Sequence, residues 1–430
     1  MADEYADDPS SMLDEKTTAD DSKHLVELYA PDKGARAWLC VTGSFLGIFC
    51  SFGYVNVIGV FQEYYASHQL QDYSQSSISW ISSIETFIMV FGSIIVGRLY
   101  DMFGPFPLIM SGTAFMTVGV MTASVADKYY QFLLAQGFCT AIGASLIFSP
   151  SISAVSGWFI KRRALALGIS AAGSSIGGVV MPIMFRQIET RSGFAWAMRA
   201  LGFLMLACGI VATFTVNSRI RINGGQGLKI YDTYVTPFRS VKFCTTVAAV
   251  FFAYWGLFIP IGYVPSHAVA HGVSSSLALY MISILNGASF FGRLLPGFVA
   301  DKIGRYVTFA AGIGLSSVLV LGLWIPAHTH AQIIAFAAAF GFTSGSVASI
   351  WPAMVAETSA VHQIGARIGL TSAVASFAAL SGMPIAGAIV ASDGGETYWA
   401  AAIFSGATLL IGAALALVAH KVRQSPQAKE

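Results

Sequence analysis

Twelve stretches of about twenty mostly apolar residues punctuate this chain. They lie at 38–61, 78–98, 107–125, 130–153, 165–185, 197–216, 244–264, 277–298, 307–326, 332–355, 368–391 and 399–419. A helix rises about 1.5 Å per residue, so roughly twenty residues cross the ~30 Å hydrocarbon layer of a bilayer. Backbone groups inside lipid must be satisfied within the protein, and a helix does this within one segment. The pattern therefore predicts an all-α membrane protein with twelve transmembrane helices. Composition agrees: of 430 residues, 55% are hydrophobic and only 11% are charged, against about 25% charged in soluble domains. Two or three soluble domains of this total length would lack the charge to solvate their surfaces.

Lys and Arg orient the helices. With the N-terminus in the cytosol, nineteen of the 24 basic residues fall on the inner side and four on the outer side. The outer four are Lys128, Arg186, Arg191 and Arg199; Arg293 alone falls inside a span. This bias follows the positive-inside rule and supports an even helix count with both termini cytosolic. Residues 1–37 are acidic and polar at the start, the reverse of a signal peptide, and read as a disordered cytosolic tail. The polar stretch 217–243, with Gly224, Gly225 and Gly227, separates residues 38–216 from residues 244–419, and 420–430 form a short C-terminal tail. No strand precedes those glycines and no Lys-Ser/Thr follows them, so they read as a flexible linker rather than a phosphate loop. Net charge is +2, which offers no bulk attraction to nucleic acid. The five cysteines lie in or beside apolar runs, without metal-ligand spacing, and read as packing residues.

The two halves repeat. Residues 91–104, FGSIIVGRLYDMFG, align with residues 291–304, FGRLLPGFVADKIG, and identical residues fall at 91/291, 92/292, 97/297, 101/301 and 104/304. Both copies end the second helix of their half and enter a short inner turn. Duplicated six-helix halves with a site between them at mid-membrane are one layout of secondary transporters. Gly97 and Gly297 would allow close helix approach. Asp101 and Asp301 would accept from the N-terminal amides of a neighbouring helix, where the dipole favours a carboxylate. Gly104 and Gly304 close the turns, and Arg98 and Arg305 would pair with acidic groups. An ordinary polar turn is the plainer reading of either copy alone.

These turns resemble the signature loop of the major facilitator superfamily, with Met102 in place of the usual basic residue in the first copy. A second pair of segments, Asp32-Lys33-Gly34-Ala35-Arg36-Ala37-Trp38 before the first helix and Trp158-Phe159-Ile160-Lys161-Arg162-Arg163 before the fifth, resembles the motifs of the monocarboxylate transporter-like family, its fungal branch above all. The resemblance implies two pseudo-symmetric six-helix bundles that rock about a central site, with the Asp101 and Asp301 turns as an inner gate. It implies small acids, vitamins or fungal secondary metabolites as cargo, and the plasma membrane as location. Lys161, Arg162 and Arg163 are a topology anchor or a further part of the gate.

Arg293 is the most informative single residue. It lies eight positions before Asp301, about 12 Å deep along a helix. An arginine in a span costs about 2.5–3.5 kcal/mol on insertion scales, so it is expected to face a cavity or a partner. Its position resembles the arginine that anchors the substrate carboxylate in monocarboxylate transporters; structural pairing is the alternative. Where that family has an acid and a lysine, this chain has Ser289 and Asn56, which leaves its coupling to protons open. Asn286 and Tyr54 complete the expected lining. Glu85 is the one acidic residue well inside a predicted span; it is a proton carrier or a hydrogen-bonding group near the outer surface. His267 and His271 are expected in or near the outer loop between helices seven and eight, as pH sensors or as solvated loop histidines.

The sequence thus predicts a carrier of a small, anionic metabolite, exporting a secondary metabolite or taking up a monocarboxylate. It carries no nucleotide-binding motif and implies no cofactor. A membrane enzyme would need a nucleophile or metal cluster at depth, and a transporter-like receptor usually adds a long tail.

Overall fold

A computed structural model of the protein describes residues 34–219, 230–392 and 398–424. Among the described residues, twelve helices are long and apolar enough to span a membrane. In chain order they are α1 (Ala35–Ser67), α2 (Ser76–Phe103), α3 (Pro105–Ala123), α4 (Tyr129–Trp158), α5 (Arg163–Ser192), α6 (Phe194–Thr215), α7 (Val241–Ala270), α8 (Tyr280–Ile303), α9 (Arg305–Trp324), α10 (His330–Glu357), α11 (Ile364–Ser392) and α12 (Trp399–Gln424). Several run past the apolar stretch that announced them, because helical hydrogen bonding continues beyond the hydrocarbon layer. The antiparallel pairs α2–α3 and α8–α9 turn on Gly104 (φ 79°) and Gly304 (φ 120°), a backbone region that a Cβ disfavours.

Helix α1 packs on α4, α5 and α6 in the first half, and α7 packs on α11 and α12 in the second. The halves meet chiefly through α8 against α5 and α11 against α2. Large apolar side chains such as Ile95, Phe214, Ile303 and Val318 remain exposed on the outside, the surface that lipid would cover. Between the halves, small residues let backbones touch. The Cβ that Gly97 lacks would lie 2.1 Å from the carbonyl oxygen of Gly365, and that of Gly369 would lie 2.0 Å from Ser93 O. On the other side, a Cβ on Gly297 would lie 2.7 Å from Ala164 O, and one on Gly168 would lie 2.4 Å from Arg293 O. The second repeat is thereby visible: α5 residues 164, 165 and 168 occupy the places of α11 residues 365, 366 and 369.

Prolines 150, 182, 296, 352 and 384 all lie inside continuous helices. The interruptions occur elsewhere. Helix α1 breaks at Asn56–Val57, α2 at Gly92, and α4 and α9 contain π-helical stretches at Leu133–Thr140 and Val320–Trp324. The linker is also less loose than its composition implies. Its three glycines lie outside the described residues, but a five-residue helix, Ile230–Tyr234, docks on α2, and the turn Thr236–Arg239 packs against the start of α7, with Phe238 edge-on to Phe243. Tyr234 Oη donates to Ile94 O at 3.1 Å, and Arg98 stacks 6.0 Å from the Tyr234 ring centroid.

Candidate solute site and the basic-end seam

The mid-membrane site grows from the tight α5–α8 crossing. With no side chain on Gly168, the Arg293 backbone sits against α5 and its guanidinium reaches along that helix. Nη1 of Arg293 donates to the carbonyl of Ala171 and to the hydroxyl of Ser174, while its Nε has no partner among the described residues. Asn56, at the break in α1, donates from Nδ2 to Ser174 O at 3.1 Å. Asn286 on α8 meets the same stretch of α5: a Cβ on Gly178 would lie 2.8 Å from Asn286 Cγ and 2.9 Å from Asn56 Nδ2. Ser174 and Gly178 therefore bring Arg293, Asn56 and Asn286 into one cluster. Tyr254 lies within electrostatic reach of Arg293, and its ring is edge-on to Trp351 at 6.5 Å.

Two expected lining residues lie apart from this cluster. Ser289 is buried against α10, where a Cβ on Gly345 would lie 3.0 Å from its hydroxyl. Tyr54 has no exposed surface and packs beside Phe61, with ring centroids 5.3 Å apart, inside the first bundle. Sequence reasoning missed Ser174 and Gly178 as site residues. Their i, i+4 spacing in Gly173-Ser-Ser-Ile-Gly177-Gly178 was the available signal, and it reads equally well as a packing face.

The end of the molecule that carries the Asp101 and Asp301 turns is closed by two matching sets of bonds. Asp101 accepts from the amides of Gly365 (3.0 Å) and Ala366 (2.7 Å) at the start of α11. Asp301 accepts from Ala164 (3.0 Å) and Leu165 (2.9 Å) at the start of α5. Each carboxylate thus caps a helix of the opposite half, with the positive end of the helix dipole and two free N–H groups as its partners. Arg305 adds a third tie between the halves through Ile160 O at 2.6 Å, and it lies 3.5 Å from Asp301 and 3.4 Å from Glu357. Glu357 also holds Arg423 at 2.5 Å. Arg163 turns inward and donates from Nε to Phe159 O at 2.6 Å. Lys161 and Arg162 remain exposed beside this seam.

Glu85 is buried within the first bundle, and accepts from Gln136 Nε2 at 2.8 Å. His267 departs from the loop expectation. It lies inside α7, only 3% exposed, while His271 bonds His328 at 3.0 Å beyond the helix end.

Two six-helix halves, a seam closed at one end and a half-buried cation where the halves meet have the layout of a membrane carrier. The Major Facilitator Superfamily profile matches residues 44–331 and 246–430, and the chain belongs to that superfamily. It is 47% identical over 396 residues to "MFS-type transporter 1" of Ophiocordyceps, covering 91% of this chain and 86% of that protein. It is 45% identical to MFS transporter asaE of Aspergillus flavus, covering 91% of this chain and 88% of that one. It is 39% identical to the aspyridones efflux protein apdF of Emericella nidulans, covering 93% of this chain and 80% of that one. The fold is shared with the human organic anion transporter MFSD10 (TM-score 0.69, 13% identity, 91% of this chain and 100% of that chain). It is shared also with the transporter FucP in an outward conformation (TM-score 0.67, 15% identity, 89% of this chain and 98% of that chain).

Proposed function

We propose that this transporter exports an acidic secondary metabolite, and that Arg293 holds the solute's carboxylate at mid-membrane. The observation that carries this reading is the half-committed guanidinium. Nη1 is tied to α5, while the buried Nε lacks a partner, and an unpaired buried donor is costly unless something binds it. A planar fork of N–H groups suits a carboxylate. Efflux is supported by relatives whose names describe efflux of fujikurins and aspyridones. Membership of the monocarboxylate transporter-like family rests on the 32–38 and 158–163 motifs. The test is metabolite profiling of cells and medium with and without the chain. At least one acidic metabolite is expected to move from medium to cells on deletion; an unchanged distribution of every acid would reject export.

The basic end is assigned to the cytosol and the membrane to the cell surface, and the Asp101 and Asp301 caps act as the cytosolic gate. The structure is then the state closed to the cytosol. Asp101→Asn and Asp301→Asn each leave one neutral acceptor where a charged pair stood. Each is expected to shift the equilibrium roughly tenfold toward the cytosol-open state, on the scale of a charge-assisted hydrogen bond. Alkylation of a cysteine placed at Ser372, buried on α11, measures this from the cytosolic side. Unchanged labelling in both variants would remove the gate role.

A further inference from the structure

The first bundle contains a buried polar network that the solute site does not use. Glu85 on α2 is 1% exposed, and its Oε2 accepts from Gln136 Nε2 on α4 at 2.8 Å. Gln136 Oε1 in turn accepts from the hydroxyl of Tyr65 on the outer segment of α1, also at 2.8 Å. Among the described residues, neither Glu85 Oε1 nor the fully buried Tyr54 hydroxyl has a partner. Tyr54 and Tyr65, both on α1, are the titratable groups within electrostatic reach of the carboxyl, and among the described residues no cation pairs with it. Gln136 lies in the π-helical stretch of α4, where Thr140 Oγ1 also donates to Ala135 O at 3.0 Å. Such one-turn insertions are frequent at functional sites. The two tyrosines flank the α1 break at Asn56, and Asn56 reaches Ser174, the residue that also receives Arg293.

We propose that the carrier holds one proton on Glu85 inside the first bundle, apart from the solute site, and that Gln136 is the positioning residue which orients the carboxyl. This rests on the proposed reading of the chain as a secondary carrier. With the proton on Glu85 the network is neutral, and Gln136 bridges the carboxyl to Tyr65. On deprotonation, the O–H bond of Glu85 breaks and the proton passes to water on the side then open. The electron pair stays on the carboxylate, which now needs a second donor. The unpartnered Tyr54 hydroxyl is the available one, on the α1 segment that ends at Asn56. Proton loss therefore pulls on the helix that shapes the Arg293 cluster. Nothing is oxidised or reduced, and no other group changes charge.

Infrared difference spectra of the full chain in liposomes, recorded as pH is stepped without solute, test this. A carbonyl-stretch band of a protonated carboxylic acid is expected, and it disappears in Glu85→Gln. Tyr54→Phe, which keeps the ring and the packing, and Gln136→Leu each remove a donor to the carboxylate. Each is expected to move the band's titration about one pH unit upward, a tenfold change in proton affinity. A purely structural role for Gln136 would leave the band's frequency and midpoint unmoved in protein that still folds. A missing band, a band that survives Glu85→Gln, or unmoved midpoints in both other variants would overturn the proposal. None of these results depends on flux, so the band can fail while Arg293-dependent export stands, and the converse.

Discussion

Arg293→Ala is expected to reduce export of an acidic solute by roughly thirtyfold or more while leaving the protein folded and in the membrane. Two terms separate binding from packing here. The lost solute contact is a charge-assisted, two-pronged hydrogen bond at a water-poor depth, and truncating one partner of such a pair costs roughly 2–5 kcal/mol. The lost internal contacts are two acceptors on one helix, Ala171 O and Ser174 Oγ. The first already sits in an α-helix, and the second already donates to Ala171 O at 3.1 Å. Removal of a charge from a span also relieves an insertion cost of about 2.5–3.5 kcal/mol, so folding is not expected to suffer. Arg293→Lys should recover little, because an ammonium cannot keep Ser174 and fork a carboxylate at once. The measurement is export of the metabolite identified by profiling, normalised to chain in the membrane. Transport within twofold of the parent would reject the anchor role.

The second large effect is expected from a single methyl group. Gly369→Ala should hold the seam open at the basic end and lower transport more than tenfold. Its Cβ would come within 2.0 Å of Ser93 O, a backbone atom that no rotamer change can move aside. The tool of closure is therefore the helix itself: α2 and α11 must separate, which withdraws Asp101 from the amides of Gly365 and Ala366. Helix propensity acts the other way, because Ala exceeds Gly by about 1 kcal/mol in a helix interior. Stability should thus hold or rise while closure fails, a combination that general misfolding does not produce. Gly168→Ala should do the same at the α5–α8 crossing, where its Cβ would lie 2.4 Å from Arg293 O. Gly287→Ala is the control, since nothing lies within 4 Å of a Cβ there. Cysteine labelling at Ser372 should rise in the first two variants and stay at the parental level in the third; equal labelling in all three would sink the seam argument.

Much of this was legible because its causes are local. The apolar runs set helix number, and the repeat at an offset of 200 marked Asp101 and Asp301 as twins. Their helix-capping geometry also followed from chemistry, since a carboxylate at such a turn seeks free N–H groups. The choice of partner was not legible. That α2 meets α11 and α8 meets α5 depends on Gly97, Gly365, Gly369 and Gly168, and a lone glycine in an apolar helix says little about which neighbour it admits. Glu85 was visible as an acid in a span, but Gln136 was not, because an isolated glutamine gains meaning only when a carboxyl lies 2.8 Å away. His267 was misplaced for a related reason. Helix α7 continues to Ala270 past the apolar run, so a residue read as loop is buried.

Twelve helices, their common sorting of charge and the division into two related halves follow from the linear order of residues, because hydrophobic length, charge and repetition act along the chain. The convergence of Arg293, Asn56 and Asn286 on Ser174 and Gly178, with Tyr54 and Ser289 turned elsewhere, emerges from the packing of the helices. Side-chain direction about a helix is settled by which backbone lies within reach, and that contact belongs to two helices at once.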